Sequence, residues 1–160
     1  MKQQTRRFLL LACLVVVLVV AVACRPVMAP PPSSVATVSP PSNTITDIVW
    51  QWISVTNRPT GETTTVPNPQ AYTIIFRDDG TVSGQADCNT FTGTYSTDGG
   101  FFIASTPDVM AACGGDSLDI QYFELLDAIV TGGPDGAGGL ALETAGGEQR
   151  MMFVNGGVAP

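Results

Sequence analysis

The chain of 160 residues contains no histidine, and its 14 acidic residues outnumber its 7 basic ones. The missing histidine excludes Ser-His-Asp and Cys-His catalysis as well as metal sites built on imidazole. The acidic balance argues against nucleic acid and anionic lipid as partners, because both bind to clusters of positive charge. An acidic surface of this kind mainly keeps a small domain soluble.

The beginning of the chain has the pattern of an export signal. Residues 1–7, MKQQTRR, carry three positive charges, and Phe8 to Ala23 then form an apolar run of 16 residues. A charged segment followed by an apolar one is typical of a signal peptide, and a transmembrane helix would need roughly 20 apolar residues. We therefore predict a lipoprotein-type signal peptide over residues 1–23, so that the rest of the chain works outside the cytoplasm.

Three outcomes remain open at the end of this signal. The letters VAVAC place Ala23 before Cys24, as in the lipobox of bacterial lipoproteins, where the cysteine is lipidated after cleavage. Ala21-Val22-Ala23 also fits an ordinary A-x-A cleavage site, and an uncleaved anchor is the third outcome. We expect a lipoprotein that is lipidated at Cys24 and anchored to the outer face of the cell membrane. The protein would be secreted if Cys24 is not lipidated.

Residues 24–43 have the composition of a tether. The segment after Cys24, RPVMAPPPSSVATVSPPSN, is rich in proline and serine and has few large apolar side chains. Such a segment cannot bury enough apolar surface to offset the entropy that is lost when it becomes ordered. We predict a spacer that holds one small domain, residues 44–155, away from the membrane, with a short tail at residues 156–160.

Two of the four cysteines belong to this domain. Cys13 lies in the apolar run and Cys24 at the processing site, which leaves Cys88 and Cys113. Two cysteines in an exported domain most often pair, because the compartment is oxidising. A Cys88–Cys113 disulfide would close a loop of about 25 residues and stabilise the fold by about 3–4 kcal/mol. A zinc site would need further ligands, and a nucleophilic thiol would need a base.

The first half of the domain is predicted to consist of strands. Ile48 to Val55, IVWQWISV, is rich in β-branched and aromatic residues and indicates a strand, and residues 57–70 follow as a proline-rich loop. The turn RDDG then separates an apolar strand that ends at Phe76 from a second strand, and Asp79-Gly80 tolerates the positive φ of a tight turn. The segments FTGTYS and GFFIAS add two short strands, so we expect a meander.

The second half is predicted to contain one helix and a closing hairpin. The apolar residues of the segment from 116 to 130 recur at helical spacing: Leu118, Tyr122, Leu125, Leu126 and Ile129. Asp116 or Ser117 can cap this helix, and Gly132-Gly133-Pro134 is expected to stop it. After a glycine-rich loop, GLALETA and EQRMMFV alternate across Gly146-Gly147. Met151, Met152 and Phe153 are expected to pack in the core and at its edge.

An ordered run from Phe76 to Tyr95 is more specific than these strand patterns. It contains, in order, Phe76, Asp79, Gly80, Ser83, Gly84, Cys88, Asn89, Phe91, Gly93 and Tyr95. Trp50 or Trp52 precedes it, and Ala112-Cys113, Leu140, Leu142 and Phe153 follow. Over Trp50 to Val154 the chain resembles the META domain family, which includes HslJ-like bacterial lipoproteins. Asp87 departs from the family pattern, which often has glycine at this position.

The resemblance implies a small, mostly antiparallel and partly open β-barrel-like sheet with one helix packed against it. This agrees with the predicted elements, mainly β with one α-helix. It implies no enzyme, because the family has no established catalytic site or cofactor, and its members are associated with envelope stress, drug tolerance or virulence. The motif residues expected to matter are Asp79, Gly80, Gly84, Cys88, Asn89, Gly93 and Tyr95. Asn89 and Gly93 are expected to shape a turn that leads the chain back towards Tyr95.

Carboxylates are the remaining candidates for chemistry. Asp78 and Asp79 are better explained as turn residues, and Asp87 is the third candidate. The DDG run lacks the alternating acidic residues and the glutamate of an EF-hand loop. We therefore expect no catalytic residue, no metal and no cofactor.

Two functions from different classes remain. We prefer a non-enzymatic, membrane-tethered extracytoplasmic domain that acts in an envelope stress response or binds an envelope protein. The alternative is a binding module for an acyl chain or another apolar ligand inside the barrel. An interior filled by its own side chains would count against the alternative. The side chains expected there are Trp50, Phe76, Phe102, Tyr122 and Phe153.

Overall fold

The computed structural model describes residues 44–160, which form a curled antiparallel sheet with one α-helix on its concave side. The strands are β1 (Ile48–Asn57), β2 (Glu62–Thr65), β3 (Tyr72–Phe76), β4 (Thr81–Ala86), β5 (Asn89–Ser96), β6 (Phe102–Pro107), β7 (Ile129–Pro134), β8 (Leu140–Thr144) and β9 (Gln149–Val158). The helix α1 (Asp119–Asp127) lies between β6 and β7 in the chain. The predicted fold class, mainly β with one helix against a partly open sheet, is confirmed.

The sheet consists of two meanders joined by β1. The strand order is β6-β5-β4-β3-β1-β9-β8-β7, and β2 pairs with the second half of β1. The two outer strands approach each other at one point, where the Phe101 N–H donates to the Val130 carbonyl over 2.9 Å. Because no ladder joins β6 to β7 in the described part of the chain, the sheet forms a half-barrel around its core.

A β-bulge in β1 allows the strand to direct apolar side chains to the core both before and after the bulge. Trp50 and Trp52 are buried, as the alternation of a half-buried strand requires. The register with β9 shifts between Trp52 and Ser54, and such a bulge changes which residues point inward. Beyond it, Val55 is the buried residue. The shift therefore brings an apolar side chain back to the core after two residues that are only partly buried.

The helix α1 places an aromatic residue in the middle of the core. The ring centroid of Tyr122 lies 5.2 Å from that of Trp52, 6.3 Å from that of Phe91 and 6.5 Å from that of Phe153. The Tyr122 hydroxyl is fully buried and has no hydrogen-bond partner among residues 44–160. Burial raises the pKa of this phenol well above its ordinary value. The helix thus contributes a large ring to the core and leaves one hydroxyl unsatisfied there.

Most of the predicted strands are confirmed. The first strand, the hairpin around RDDG, the meander and the closing hairpin all occur in the structure. Met151 and Phe153 are buried and Met152 is partly exposed, which confirms their predicted packing. The last strand, β9, continues to Val158, beyond the domain boundary predicted at residue 155.

The predicted helix was too long. The helix begins at Asp119 rather than Asp116 and ends at Asp127, because the chain turns at Ala128 and enters β7 directly. Ile129 pairs with Thr144 of β8, and Gly132-Gly133-Pro134 also pairs with β8 rather than forming a stop and a loop. Neighbouring strands therefore override a helical spacing that the sequence carries up to Ile129.

Two further predictions were wrong. The proline-rich loop at residues 57–70 contains β2, because three consecutive threonines favour a strand and pair with the end of β1. Phe102 was expected in the interior, but its side chain is 49% exposed, whereas Phe101 is 3% exposed. Adjacent residues of an extended segment point to opposite faces, so only one of these two rings can reach the core.

Candidate functional site at the disulfide corner

The turn between β4 and β5 has a strained backbone. Asp87 adopts φ 57°, a left-handed conformation that residues other than glycine rarely take. Its N–H donates to the Ala71 carbonyl over 2.7 Å, and its own carbonyl accepts from Gln85 Nε2 over 2.7 Å. These two bonds hold the turn in place. The positive φ also gives a physical reason for the glycine that the family often has at this position.

A disulfide links this turn to the segment before α1. The Sγ atoms of Cys88 and Cys113 are 2.03 Å apart, which confirms the predicted pair. The Cys88 N–H also points to Cys113 Sγ at 3.3 Å. Residues 108–118 contain no helix or strand. The disulfide therefore fixes an irregular segment that backbone ladders do not hold.

Asn89 is buried beside the disulfide and contacts three parts of the chain. Its Nδ2 atom donates to Asp119 Oδ2 at 3.0 Å and to the Ala111 carbonyl at 3.1 Å, and it also lies 3.1 Å from Cys113 Sγ. Its Oδ1 atom accepts from the Ala111 N–H at 2.8 Å. We call Cys88, Asn89, Ala111, Cys113 and Asp119 the disulfide corner. One amide thus joins β5, the irregular segment and the start of the helix.

The start of α1 is also fastened to β3. The Tyr72 hydroxyl accepts from the Leu118 N–H at 2.8 Å and lies 3.4 Å from Ser117 Oγ. Ser117 Oγ in turn accepts from the Asp119 N–H at 3.2 Å, but the N-cap position is Leu118, so the prediction that Asp116 or Ser117 caps the helix was wrong. Side chains from the sheet and from the preceding segment therefore satisfy donors at the helix start.

The Asp79-Gly80 part of the motif lies at the opposite end of the β3–β4 hairpin. The Thr81 hydroxyl and the Thr81 N–H both donate to Asp79 Oδ1, at 2.7 and 2.9 Å. These hydrogen bonds, the hydroxyl first, lower the pKa of the Asp79 carboxyl. Gly80 has φ 82°, and Asp79 does not share the positive φ. The structure thus separates Asp78 and Asp79 from Asp87, and these three carboxylates form no common site.

Gly84 and Gly93 allow close approach of backbones inside the sheet. A Cβ atom at Gly84 would lie 2.1 Å from the Thr73 carbonyl oxygen, and one at Gly93 would lie 2.1 Å from the Ala104 carbonyl oxygen. Gly93 is in the middle of β5, so the expectation that it shapes a turn with Asn89 was wrong. The turn lies earlier, at Asp87 and Cys88, and Asn89 is already the first residue of β5.

Tyr95 closes the motif at its other end. Its hydroxyl donates to the Arg77 carbonyl over 3.0 Å, and its ring packs 4.8 Å from that of Phe76. Burial, followed by the charges of Asp78 and Asp79, raises the pKa of this phenol. Tyr95 therefore ties β5 to the hairpin turn. Cys24, the predicted lipidation site, lies outside the described residues.

Two neighbouring grooves open beside the disulfide corner, and sequence reasoning did not find them. The apolar groove, of about 320 Å³, is lined by residues that include Met110, Ala112, Asp119 and Ile120. The acidic groove, of about 300 Å³, is lined by residues that include Tyr72, Asp87, Asp116 and Ser117. Cys113 and Gly114 line both grooves, so the grooves adjoin at the disulfide. The only hint in the sequence was the apolar pair Val109-Met110, in a segment without strand alternation.

Residues 44–160 contain neither a cluster of metal-ligating side chains nor a helix that could span a membrane. No three His, Cys, Asp or Glu side chains converge there in a group that could hold a metal ion. None of the helical segments in this part of the chain has the length and hydropathy to span a membrane.

The curled sheet, the inner helix and the disulfide that fixes the segment before it define a small half-barrel domain. The chain belongs to the META domain family, whose sequence model matches residues 43–156. This confirms the resemblance found in the run from Phe76 to Tyr95.

Two solved structures share the fold. An NMR structure of a protein from Burkholderia xenovorans has a TM-score of 0.55 at 20% identity and covers 79% of this chain and 97% of that chain. A crystal structure of a DUF4847 family protein from Bacteroides vulgatus has a TM-score of 0.51 at 17% identity and covers 69% and 93%. Identities this low show the fold alone. No curated protein matches the chain significantly.

Proposed function

We propose that this protein is a non-enzymatic domain, tethered to the outer face of the cell membrane, that binds another envelope component during stress. The supporting observation is that the polar groups of the family motif are engaged by the fold itself. Asn89 bonds to Asp119, Asp79 to Thr81 and Tyr95 to the Arg77 carbonyl. A catalytic group must instead reach a substrate proton or a reacting atom. The motif therefore supports an architectural role, and any binding falls to the surface.

The tether is tested by the two cysteines of the signal region. In a bacterial host, wild type and Cys13→Ala should be found in the membrane fraction and should incorporate labelled fatty acid. Cys24→Ala should lose the label and leave the membrane fraction. A Cys24→Ala protein that stays in the membrane would overturn the lipid anchor, and Cys13→Ala controls for the loss of a cysteine from the same region.

The non-enzymatic part is tested on the purified chain. Ester, phosphate ester and peptide substrates should be turned over no faster than in buffer alone. Reproducible turnover that disappears in Asp78→Asn or Asp87→Asn, in a protein that remains folded, would overturn it.

The stress role is tested in the producing organism. Deletion of the gene should sensitise cells to agents that damage the envelope, and the wild-type chain should restore resistance. Cys24→Ala should restore less, because the domain then leaves its site of action. Unchanged sensitivity in the deletion strain under every envelope stress would contradict this role.

The packing of the interior favours this proposal over the alternative of an apolar ligand inside the barrel. Trp50, Phe76, Tyr122 and Phe153 are each at most 3% exposed. The rings of Phe76 and Phe101 lie 5.6 Å apart, and those of Trp52 and Tyr122 lie 5.2 Å apart. Ring contacts at these distances are those of a packed core.

A further inference from the structure

The apolar groove exposes large side chains in one place. Met110 is 61% exposed and Ile120 is 63% exposed, and Val109, next to Met110 in the chain, is 71% exposed. Single exposed apolar residues are normal on a protein surface, whereas exposed apolar residues clustered at a groove are typical of an interaction site. Methionine suits such a site, because its flexible and polarisable side chain adapts to different partners. The groove therefore has the chemistry to accept an apolar side chain from a partner.

The surface next to this groove is negatively charged. Asp87 and Asp116 line the acidic groove, and neither carboxylate has a hydrogen-bond or ion-pair partner within residues 44–160. Glu124 is exposed and lies one helical turn beyond Ile120, on the same face of the helix. The apolar groove thus adjoins a groove that carries two unpaired carboxylates.

The basic residues of the domain lie elsewhere. Arg58 and Arg150 both pair with Glu143, at 2.7 and 3.5 Å, and Arg77 pairs with Asp47 at 2.8 Å. Residues 44–160 contain no lysine and no other arginine. No cation of the described domain therefore balances the charge beside the disulfide corner, and this surface is complementary to a positively charged partner.

We propose that the two grooves together bind a cationic amphipathic segment of another protein. An apolar side chain of the segment occupies the apolar groove between Met110 and Ile120. A lysine or arginine a few residues away lies in the acidic groove against Asp87 and Asp116. This inference rests on the proposed role as a binding domain and names the chemistry of the partner. A membrane surface is disfavoured, because anionic headgroups would be repelled by these carboxylates.

The inference is tested with synthetic peptides on a sensor surface. The probe is a short amphipathic peptide of leucine and lysine, and two matched peptides replace leucine by serine or lysine by glutamate. The full chain is held in phosphatidylcholine nanodiscs if it is purified from membranes, with empty discs as reference, and in buffer if it is purified as a soluble protein. Binding is therefore measured whether or not the lipid anchor exists.

The leucine and lysine peptide should bind, and both matched peptides should bind about tenfold more weakly or not at all. The double variant Met110→Ser/Ile120→Ser should weaken binding about tenfold. Asp87→Asn/Asp116→Asn should also weaken it, and this loss should shrink at high salt, where charges are screened. The controls are Val154→Ser and Asp98→Asn, which change an exposed apolar residue and an exposed carboxylate away from the grooves. They should leave the affinity unchanged.

Three results would overturn the proposal. One is equal binding of the serine peptide, which would show general attraction to an acidic protein. Another is a loss of affinity in the controls as large as in the groove variants, with near-ultraviolet circular dichroism showing that all of them are folded. The third is binding of phosphatidylglycerol vesicles that is lost in Met110→Ser/Ile120→Ser, which would assign the surface to lipid. The result of the Cys24 experiment does not change how these three results are interpreted, because peptide binding is measured with or without the lipid anchor.

Discussion

The aromatic interior and the disulfide corner hold the same domain together by different means. We define the aromatic interior as the rings of Trp52, Phe91, Phe101, Tyr122 and Phe153, which are at most 3% exposed. It is held by apolar burial and ring packing, and it even tolerates the unpartnered Tyr122 hydroxyl. The disulfide corner has little apolar burial and is held by one covalent bond and the hydrogen bonds of Asn89. Where strands and apolar side chains are scarce, the chain uses a few specific bonds instead.

The comparison predicts that a substitution in the aromatic interior causes the largest loss of stability. Phe101→Ala should lower the free energy of unfolding by about 3–5 kcal/mol, because it removes a buried ring and leaves a cavity beside Phe76 and Tyr95. Phe102→Ala, its neighbour with the same side chain, should change it by less than about 0.5 kcal/mol. Urea unfolding measures both. Similar losses of stability for the two variants would contradict the assignment of Phe101 to the core and of Phe102 to the surface.

Removal of the disulfide should have the next largest effect. Cys88→Ala/Cys113→Ala should lower the free energy of unfolding by about 3 kcal/mol, because the loop of 25 residues is no longer closed in the unfolded chain. The near-ultraviolet circular dichroism of the aromatic interior should persist. A reductant should destabilise wild type and leave the double variant unchanged. Loss of the aromatic signal at low temperature would mean that the two regions are not independent.

Replacement of Asn89 should weaken the corner by breaking its buried hydrogen bonds. Asn89→Ala should cost about 2 kcal/mol, because the Ala111 N–H and the Asp119 carboxylate lose a buried partner. Asn155→Ala is the matched control, since Asn155 is exposed and its side chain bonds only to the Gly157 N–H of its own segment. Equal melting temperatures of wild type and Asn89→Ala would contradict the role of this amide.

Removal of the hydroxyl group should change stability in opposite directions at two tyrosines. Tyr122→Phe should raise the free energy of unfolding by about 1 kcal/mol, because it removes an unsatisfied buried hydroxyl. Tyr72→Phe should lower it by about 1 kcal/mol, because the Leu118 N–H loses its acceptor. Denaturant titrations of the two variants compare a buried hydroxyl that has no partner with one that accepts a hydrogen bond from the helix start. A destabilised Tyr122→Phe protein would reveal a partner for this group.

The smallest effect concerns pH and the turn at Asp79. The pKa of Asp79 is lowered from its ordinary value of 3.8, so its contribution to stability is present above that value and is lost as the pH falls through the lower folded pKa. Asp79→Ala should therefore melt below wild type at neutral pH, and the gap should close well below pH 3.8. Asp78→Ala changes a neighbouring exposed carboxyl and should show no such gap. A gap that stays constant with pH would mean that charge is not involved.

Sequence reasoning predicted the parts of this domain in which local pattern and tertiary structure agree. Alternation predicted the strands, the ordered run from Phe76 to Tyr95 predicted the family, and the two cysteines of an exported domain predicted the disulfide. It failed where tertiary contacts determine the local structure. Ile129 has helical spacing in the sequence, but in the structure it pairs with Thr144 of the neighbouring strand. It also missed the bonds of Asn89 and the two grooves. Asp87, Met110 and Ile120 are far apart in sequence, so only the fold brings them to one surface.

The pairing of β1 with β9 has a consequence for the order of folding. Residues 48–57 lie against residues 149–158, and the Ala159 N–H donates to the Asp47 carbonyl over 2.9 Å. Contacts between such distant parts of a chain form late and slowly. The central seam of the sheet therefore cannot form until about a hundred further residues have followed β1. Until β9 has been made, β1 lacks its long partner, although the consecutive hairpins of β3 to β6 can already pair.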